Sequence, residues 1–127
     1  LREKFRPFAG SIMEKKKIEW FECPVTELSP FMSKVYNVKN EKKKLIPSIV
    51  HNDGTCRIHT VNELDNKRYY SLIKKFYEKS NIPILLNTSF NENEPIVHSP
   101  IEALDCFART DMDNLVIENY FFYKDNN

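Results

Sequence analysis

The sequence predicts an α/β (α+β) domain, a mixed β-sheet with at least two helices packed on it, and three observations carry that prediction. Short apolar runs of strand length recur between turn signals. Two stretches, 67–79 and the one opened by Ser99-Pro100, carry the apolar spacing and the caps of amphipathic helices. A tight Asp53-Gly54 turn implies an antiparallel pair, whereas a helix between the strands at Thr55 and Ile82 is what a parallel crossover requires, so the sheet is mixed.

Taken in order, Arg2 to Ala9 mixes charge with aromatics. Arg6 precedes Pro7, which pushes it toward extended backbone. Lys15-Lys16-Lys17 reads as a solvated face, with Ile18, Trp20 and Phe21 packing on the core. Pro24 to Pro30 is a connection. Phe31–Val38 is expected as a strand, Asn40–Lys44 as a charged loop and Ile46–Val50 as a second strand. His51-Asn52-Asp53-Gly54 turns the chain into a third strand, Thr55–Val61, which places Val50, His51, Arg57 and His59 near one hairpin. Asn66 caps a helix over 67–79 with Tyr69, Leu72, Ile73 and Phe76 on one face. Ile82–Leu86 is an apolar strand. Ser99-Pro100-Ile101-Glu102 is a capping box with proline at N1, and Ile101, Leu104, Phe107 and Ala108 of that helix face the sheet. Leu115–Tyr123 is the last strand.

The strand at Ile82–Leu86 changes abruptly into Asn87, Thr88, Ser89 and Asn91, small side chains that both donate and accept. An apolar strand ending in a polar cluster is a common way for α/β proteins to build a ligand site at a strand's carboxyl end. The alternative reading is a set of Asx and Ser/Thr turns that reverse the chain. The sequence holds only Gly10 and Gly54, so neither a GxGxxG loop nor a P-loop can form and side chains must hold any phosphate. The cationic candidates are Arg2, Lys4, Arg6 and Arg57, and the neutral donors are Asn87, Ser89 and Asn91.

Nineteen basic against 18 acidic side chains leave a net charge of +1, which argues against general nucleic-acid or membrane-surface binding. No apolar run approaches membrane-spanning length and no signal-peptide pattern opens the chain. Without an initiating Met the chain is expected to be a piece of a longer, cytoplasmic protein. Cys23, Cys56 and Cys106 are widely separated, with no CxxC pair, and read as free thiols. Histidines 51, 59 and 98 lack zinc-site spacing, so no metal site is expected.

Arg2-Glu3-Lys4-Phe5-Arg6-Pro7-Phe8-Ala9, Pro30-Phe31-Met32, Ile46 to Arg57 with its His-x-Asp-Gly-Thr-x-Arg core, and Asn87-Thr88-Ser89-Phe90-Asn91 with Glu94-Pro95-Ile96-Val97 occur in that order. Together, over the whole of residues 1–127, they resemble the C-terminal domain of the O-carbamoyltransferases, which include nodulation and antibiotic-tailoring enzymes. The resemblance implies a YrdC-like twisted mixed β-sheet with helices packed on it. It implies that ATP, with Mg²⁺, and carbamoyl phosphate bind here to form carbamoyl adenylate. The partner would be a preceding Kae1-like domain of the same protein, absent from this chain, where Fe²⁺ or a similar metal would act during transfer to a hydroxyl.

By position, the resemblance assigns Arg2, Arg6 and Arg57 to the phosphates and the carbamoyl group, with Arg6 and Arg57 as the catalytic pair. It assigns Asn87 and Ser89 to the nucleotide phosphates and Asn91 to support of their loop. Arg57 could instead be a structural clamp, and His51 and Asp53 would organise the hairpin. The chain departs from the family pattern in lacking the lysine two residues before Arg2, in Gly10 where proline is usual, and in His59 where glutamine is usual. The competing readings are a YrdC-like module that binds RNA or forms threonylcarbamoyl adenylate, and a non-catalytic lid of a larger enzyme.

Overall fold

The computed structural model describes residues 8–92 and 94–124. Its chain divides into two compact units, Leu1–Thr88 and Ser89–Asn127.

The first unit is built on a four-stranded sheet in the order β2-β3-β1-β4. β1 is Ala9–Met13, β2 Lys34–Asn37, β3 Thr55–Val61 and β4 Ile84–Asn87, and two single-turn helices, α1 (Lys17–Trp20) and α2 (Asn40–Lys43, where a charged loop was expected), precede a longer third helix. β1 pairs with β3 in parallel and with β4 antiparallel, and β2 runs antiparallel to β3. The mixed sheet is therefore as expected, but its centre is not. β1, five residues of Ala-Gly-Ser-Ile-Met, was expected as part of no strand, yet every one of its residues is buried.

Alternation sorts the side chains. On one face, Ile12, Cys56, Ile58 and Ile84 form the main core with Trp20, Phe21, Val38, Ile46 and Ile49. Gly10 lies on this face because it must: a Cβ there would stand 2.6 Å from Ile49 Cδ1 and 3.0 Å from Ile84 Cγ2. On the other face, Met13 and Val61 pack with Tyr70 and Ile73 of α3, Lys67–Ser80, with Tyr69, Tyr77 and Leu85 at the margin. Asn66 caps α3 by accepting from Tyr69 N, and Asn81, in the left-handed region at φ 59°, ends it.

Several expectations are corrected. Ile46–Val50 is not a strand but a 3-10 turn, Pro47–Ile49, whose opening proline cannot donate to a sheet ladder. The Asp53-Gly54 segment is accordingly a turn leading into β3, with Gly54 at φ 84°, and not a hairpin. α3 is not a parallel crossover: β3 and β4 flank β1 and run antiparallel to one another. Its buried residues are Tyr70 and Ile73, whereas Leu72 and Phe76 are exposed. Lys17 is buried rather than solvated, its Nζ donating to the carbonyls of Val25 (2.7 Å) and Glu27. Those bonds tie down the Pro24–Pro30 connection, which Ser29 joins to β3 through Ser29 Oγ to Ile58 O (2.8 Å).

The second unit consists of α4, Pro100–Arg109, and an antiparallel pair, β5 (Asn114–Ile117) and β6 (Tyr120–Tyr123). The expected single last strand is thus two, broken at Glu118, whose φ of 54° reverses the chain. Ser99 caps α4 by accepting from Glu102 N, and Glu102 returns a bond to His98 N. The buried residues of α4 are Ala103, Cys106 and Phe107, of which Ala103 and Phe107 pack with Leu115. Ile101, expected to face inward, is 76% exposed. All three cysteines are free.

Candidate functional site

Among the described residues, α3 covers one face of the sheet at the end that holds Met13 and Val61. Along β3 this face shows Thr55, Arg57, His59 and Val61 in turn, and the packing of Val61 on α3 marks where cover begins. Beyond it the strands present polar groups in register. Ser11 stands beside His59, Ala9 opposite Asn87, and Arg57 opposite Val35. Since Gly10 pairs with Ile58, Ala9 and Arg57 are neighbours one step earlier on both strands. Arg57 and Asn87 thus lie on the same face, one on either side of the Ala9 methyl.

A hydrogen-bonded chain crosses three strands here. Asn87 Nδ2 donates to Ser11 Oγ (2.9 Å), and Ser11 Oγ lies 3.1 Å from His59 Nδ1. Ser11 is fully buried, so its single hydroxyl proton has a defined use. With Asn87 as donor, the Ser11 proton goes to His59 Nδ1, which makes Nδ1 an acceptor and places the proton of the neutral ring on Nε2. Burial holds the His59 imidazolium below its ordinary range, which favours that neutral form. The ring also lies 6.0 Å, centroid to centroid, from that of Tyr69. Arg57 is exposed, and its guanidinium makes no hydrogen bond or ion pair among the described residues.

At the head of β3, the Asp53 carboxylate accepts from Thr55 N (3.0 Å) and Thr55 Oγ1 (2.7 Å). These bonds keep its pKa below the usual carboxylate value. Thr55 Oγ1 also meets His51 Nδ1 at 3.0 Å. Cys56, between Thr55 and Arg57, faces the core, and burial pushes its thiol up to about 12 despite its cationic neighbour.

In the second unit, Ser89 is exposed, and Asn91 Nδ2 donates to Glu94 O (2.9 Å). Val97 N to Phe90 O (2.9 Å) closes the base of this loop. Arg109 of α4 reaches Glu92 (3.1 Å), Glu94 (3.0 Å) and Asp105 (2.9 Å). Of the residues expected to bind phosphate, Arg57 and Asn87 share one sheet face, Ser89 and Asn91 belong to the second unit, and Arg2 and Arg6 lie outside the described residues. Ser11 and the coupling of His59 to it were missed. The signal in the sequence is a serine inside an otherwise apolar stretch, Ala9 to Met13.

Residues 1–124 match the family model described as "Carbamoyltransferase C-terminus". The chain is 43% identical over 125 residues to nodulation protein NolNO of Sinorhizobium fredii, covering 97% of this chain and 18% of that protein. It is also 43% identical over 125 residues to nodulation protein NolO of Bradyrhizobium diazoefficiens, covering 97% and 23%. Nodulation protein U of Rhizobium tropici is 33% identical over 90 residues, 71% of this chain and 15% of that protein. The chain therefore spans about a fifth of the length of the curated relatives it matches. A match over 124 of its 127 residues, on a mixed sheet flanked by helices, shows that the chain belongs to the carbamoyltransferase C-terminus family.

Proposed function

We propose that this chain is the substrate-activating part of an O-carbamoyltransferase: it binds ATP and carbamoyl phosphate, forms carbamoyl adenylate, and hands the carbamoyl group to a Kae1-like domain for transfer to a hydroxyl. Family membership supports the class of reaction. The observation that carries the site is the sheet face on which Arg57, with no hydrogen-bond or ion-pair partner among the described residues, stands with the Asn87–Ser11–His59 chain.

In that reaction water adds at the carbonyl carbon of carbamoyl phosphate and inorganic phosphate leaves, an oxygen of the resulting carbamate bonds to the α-phosphorus of ATP, and the bond from that phosphorus to pyrophosphate breaks. Negative charge gathers on phosphate oxygens throughout, so a preorganised cation does most of the work. Arg57 supplies one as a planar fork suited to two oxygens. The Asn87 amide, held by Ser11, has a second N–H to offer, and His59 Nε2–H is a neutral donor on the same face. Arg2, Arg6, Ser89 and Asn91 are assigned to phosphate and loop contacts on the strength of the family pattern. The donor set is cationic and neutral, and no group of three His, Cys, Asp or Glu among the described residues could hold a metal. Mg²⁺ enters with the nucleotide substrate, whose phosphate charge it screens. The near-zero net charge disfavours the RNA-binding alternative.

The test is phosphorus NMR of the purified chain titrated with carbamoyl phosphate and with MgATP, alongside Arg57→Ala. Broadening of both ligands' resonances, weakened about tenfold or more by Arg57→Ala, is expected, since a hydrogen bond to a charged group contributes about 1.5–3 kcal/mol. Failure of the folded chain to bind either ligand would overturn the proposal. Incubated with both substrates and a panel of alcohols, the chain alone should form no carbamate ester.

A further inference from the structure

The carboxylate of Asp53 takes the only hydroxyl proton of Thr55, at 2.7 Å. The 3.0 Å contact between Thr55 Oγ1 and His51 Nδ1 must then run the other way, with Nδ1–H as donor. In the neutral ring this leaves Nε2 a bare acceptor. That atom is shielded from solvent and has no hydrogen-bond partner among the described residues. A buried acceptor without a partner costs about 1–3 kcal/mol, and such a group in a folded protein calls for an explanation, a catalytic or binding role among them.

Its location gives that complement a chemistry. Thr55, to which the ring is bonded, and Arg57 point to the same face of β3, roughly 6.6 Å apart along the strand at about 3.3 Å per residue. The His51 ring, tied to Thr55, and Arg57, whose guanidinium has no partner among the described residues, thus stand at the two ends of one short stretch of β3. A ligand that spans it carries an anion at one end and an N–H at the other. Under the function proposed above, on which this inference rests, carbamoyl phosphate is such a molecule: phosphate on one side of its carbonyl, an amide –NH₂ on the other.

We propose that His51 Nε2 accepts a hydrogen bond from the carbamoyl –NH₂ and so selects carbamoyl phosphate over acetyl phosphate, which puts a methyl group in the same place. His51 is then a specificity-determining residue and Asp53–Thr55 the device that sets its tautomer. A methyl cannot donate, so acetyl phosphate would leave the acceptor unpaired, and sites built to pair with an N–H discriminate strongly against analogues that lack it.

The experiment titrates the unmodified chain and His51→Phe with carbamoyl phosphate and with acetyl phosphate, by phosphorus NMR. The unmodified chain should prefer carbamoyl phosphate by tenfold or more, and His51→Phe should bring the ratio near one while both ligands still bind. Nitrogen NMR of the unmodified chain gives a readout that does not depend on the variant folding. The His51 Nε2 resonance should shift toward that of a hydrogen-bonded acceptor with carbamoyl phosphate and stay in place with acetyl phosphate. Equal affinities in the unmodified chain, an unchanged ratio in His51→Phe, or the same Nε2 shift with both ligands would overturn the inference and leave the activation reading standing. Absence of binding by either ligand would instead overturn the activation reading itself.

Discussion

Asn87 and Ser11 lie 76 residues apart in the chain and are joined by a 2.9 Å hydrogen bond from the amide to the hydroxyl. The bond runs from edge strand β4 to central strand β1, and Ser11 passes it on to His59 of β3. One fully buried hydroxyl therefore orients two side chains of the candidate site, and its removal should be felt by both.

Ser11→Ala should destabilise the fold by about 1–3 kcal/mol, because it strands the Asn87 amide and His59 Nδ1 with partners lost. Denaturant midpoints with an unchanged m-value would measure this. Loss of carbamoyl phosphate affinity in excess of that seen for a core substitution of equal stability cost would show that Ser11 positions the site. A Ser11→Ala protein as stable as the parent would count against the hydrogen-bonded chain.

His59 should make stability depend on pH in a stated direction. Its folded pKa is depressed by burial below the ordinary value of about 6.5, so folding favours the neutral ring. The folded state binds fewer protons than the unfolded one, and stability is lost as pH falls from above about 6.5 through the folded pKa. His59→Gln keeps an acceptor for Ser11 and removes the titration. Urea midpoints at pH 7.5 and 5.5 should fall less between the two values in His59→Gln than in the parent.

Arg109 is expected to hold the loop that carries Asn91. Single exposed ion pairs contribute about 0–1 kcal/mol, but here one guanidinium joins Glu92, Glu94 and Asp105, and hydrogen bonds to Asp105 first and Glu94 next keep its pKa raised. In Arg109→Ala the Val97 amide, bonded to Phe90 O, should exchange with solvent several-fold faster. Arg109→Lys, a point charge without the fork, should recover only part of the protection. Unchanged exchange at Val97 would show the network to be ornamental.

Gly10→Ala should cost about 1–3 kcal/mol, since its methyl would stand 2.6 Å from Ile49 Cδ1 in a packed core. Ile49→Val removes the clashing methyl, so the double variant should be more stable than the sum of the two single changes. A thermal melt of the three proteins checks this.

Local chemistry is what the sequence disclosed well. Asn66, Ser99, Pro100 and Gly54 each act through their own backbone neighbourhood, and each does what its residue type implies. Patterns that depend on tertiary partners were less legible. Ile46–Val50 has strand-like composition, yet Pro47 starts a 3-10 turn. Leu72 and Phe76 satisfy the helical spacing, yet α3 turns Tyr70 and Ile73 inward because Met13 and Val61 lie there. β1 was invisible because Ala, Gly and Ser are poor strand formers in isolation. Only a position between two other strands, where Gly10 must admit Ile49, makes them the right choice. In the candidate site the same division holds: Arg57 and Asn87 were legible as residue types, while Ser11 and the bare nitrogen of His51 emerge only from three-dimensional pairing.

The central position of β1 also has a consequence for how the protein is made. Its hydrogen-bonding partners on either side belong to β3 and β4, so the strand synthesised first of the four is the one that must wait longest. At about 5–20 residues per second, roughly 4–15 s separate the appearance of Ser11 from that of Asn87. Until β3 is made both edges of this buried strand lack their partners, and the edge that receives β4 stays open for the whole interval, which makes it a natural target for a chaperone that binds extended segments. Such long-range pairing also places the first unit among slow-folding topologies, whose rate is limited by loop closure and not by helix formation.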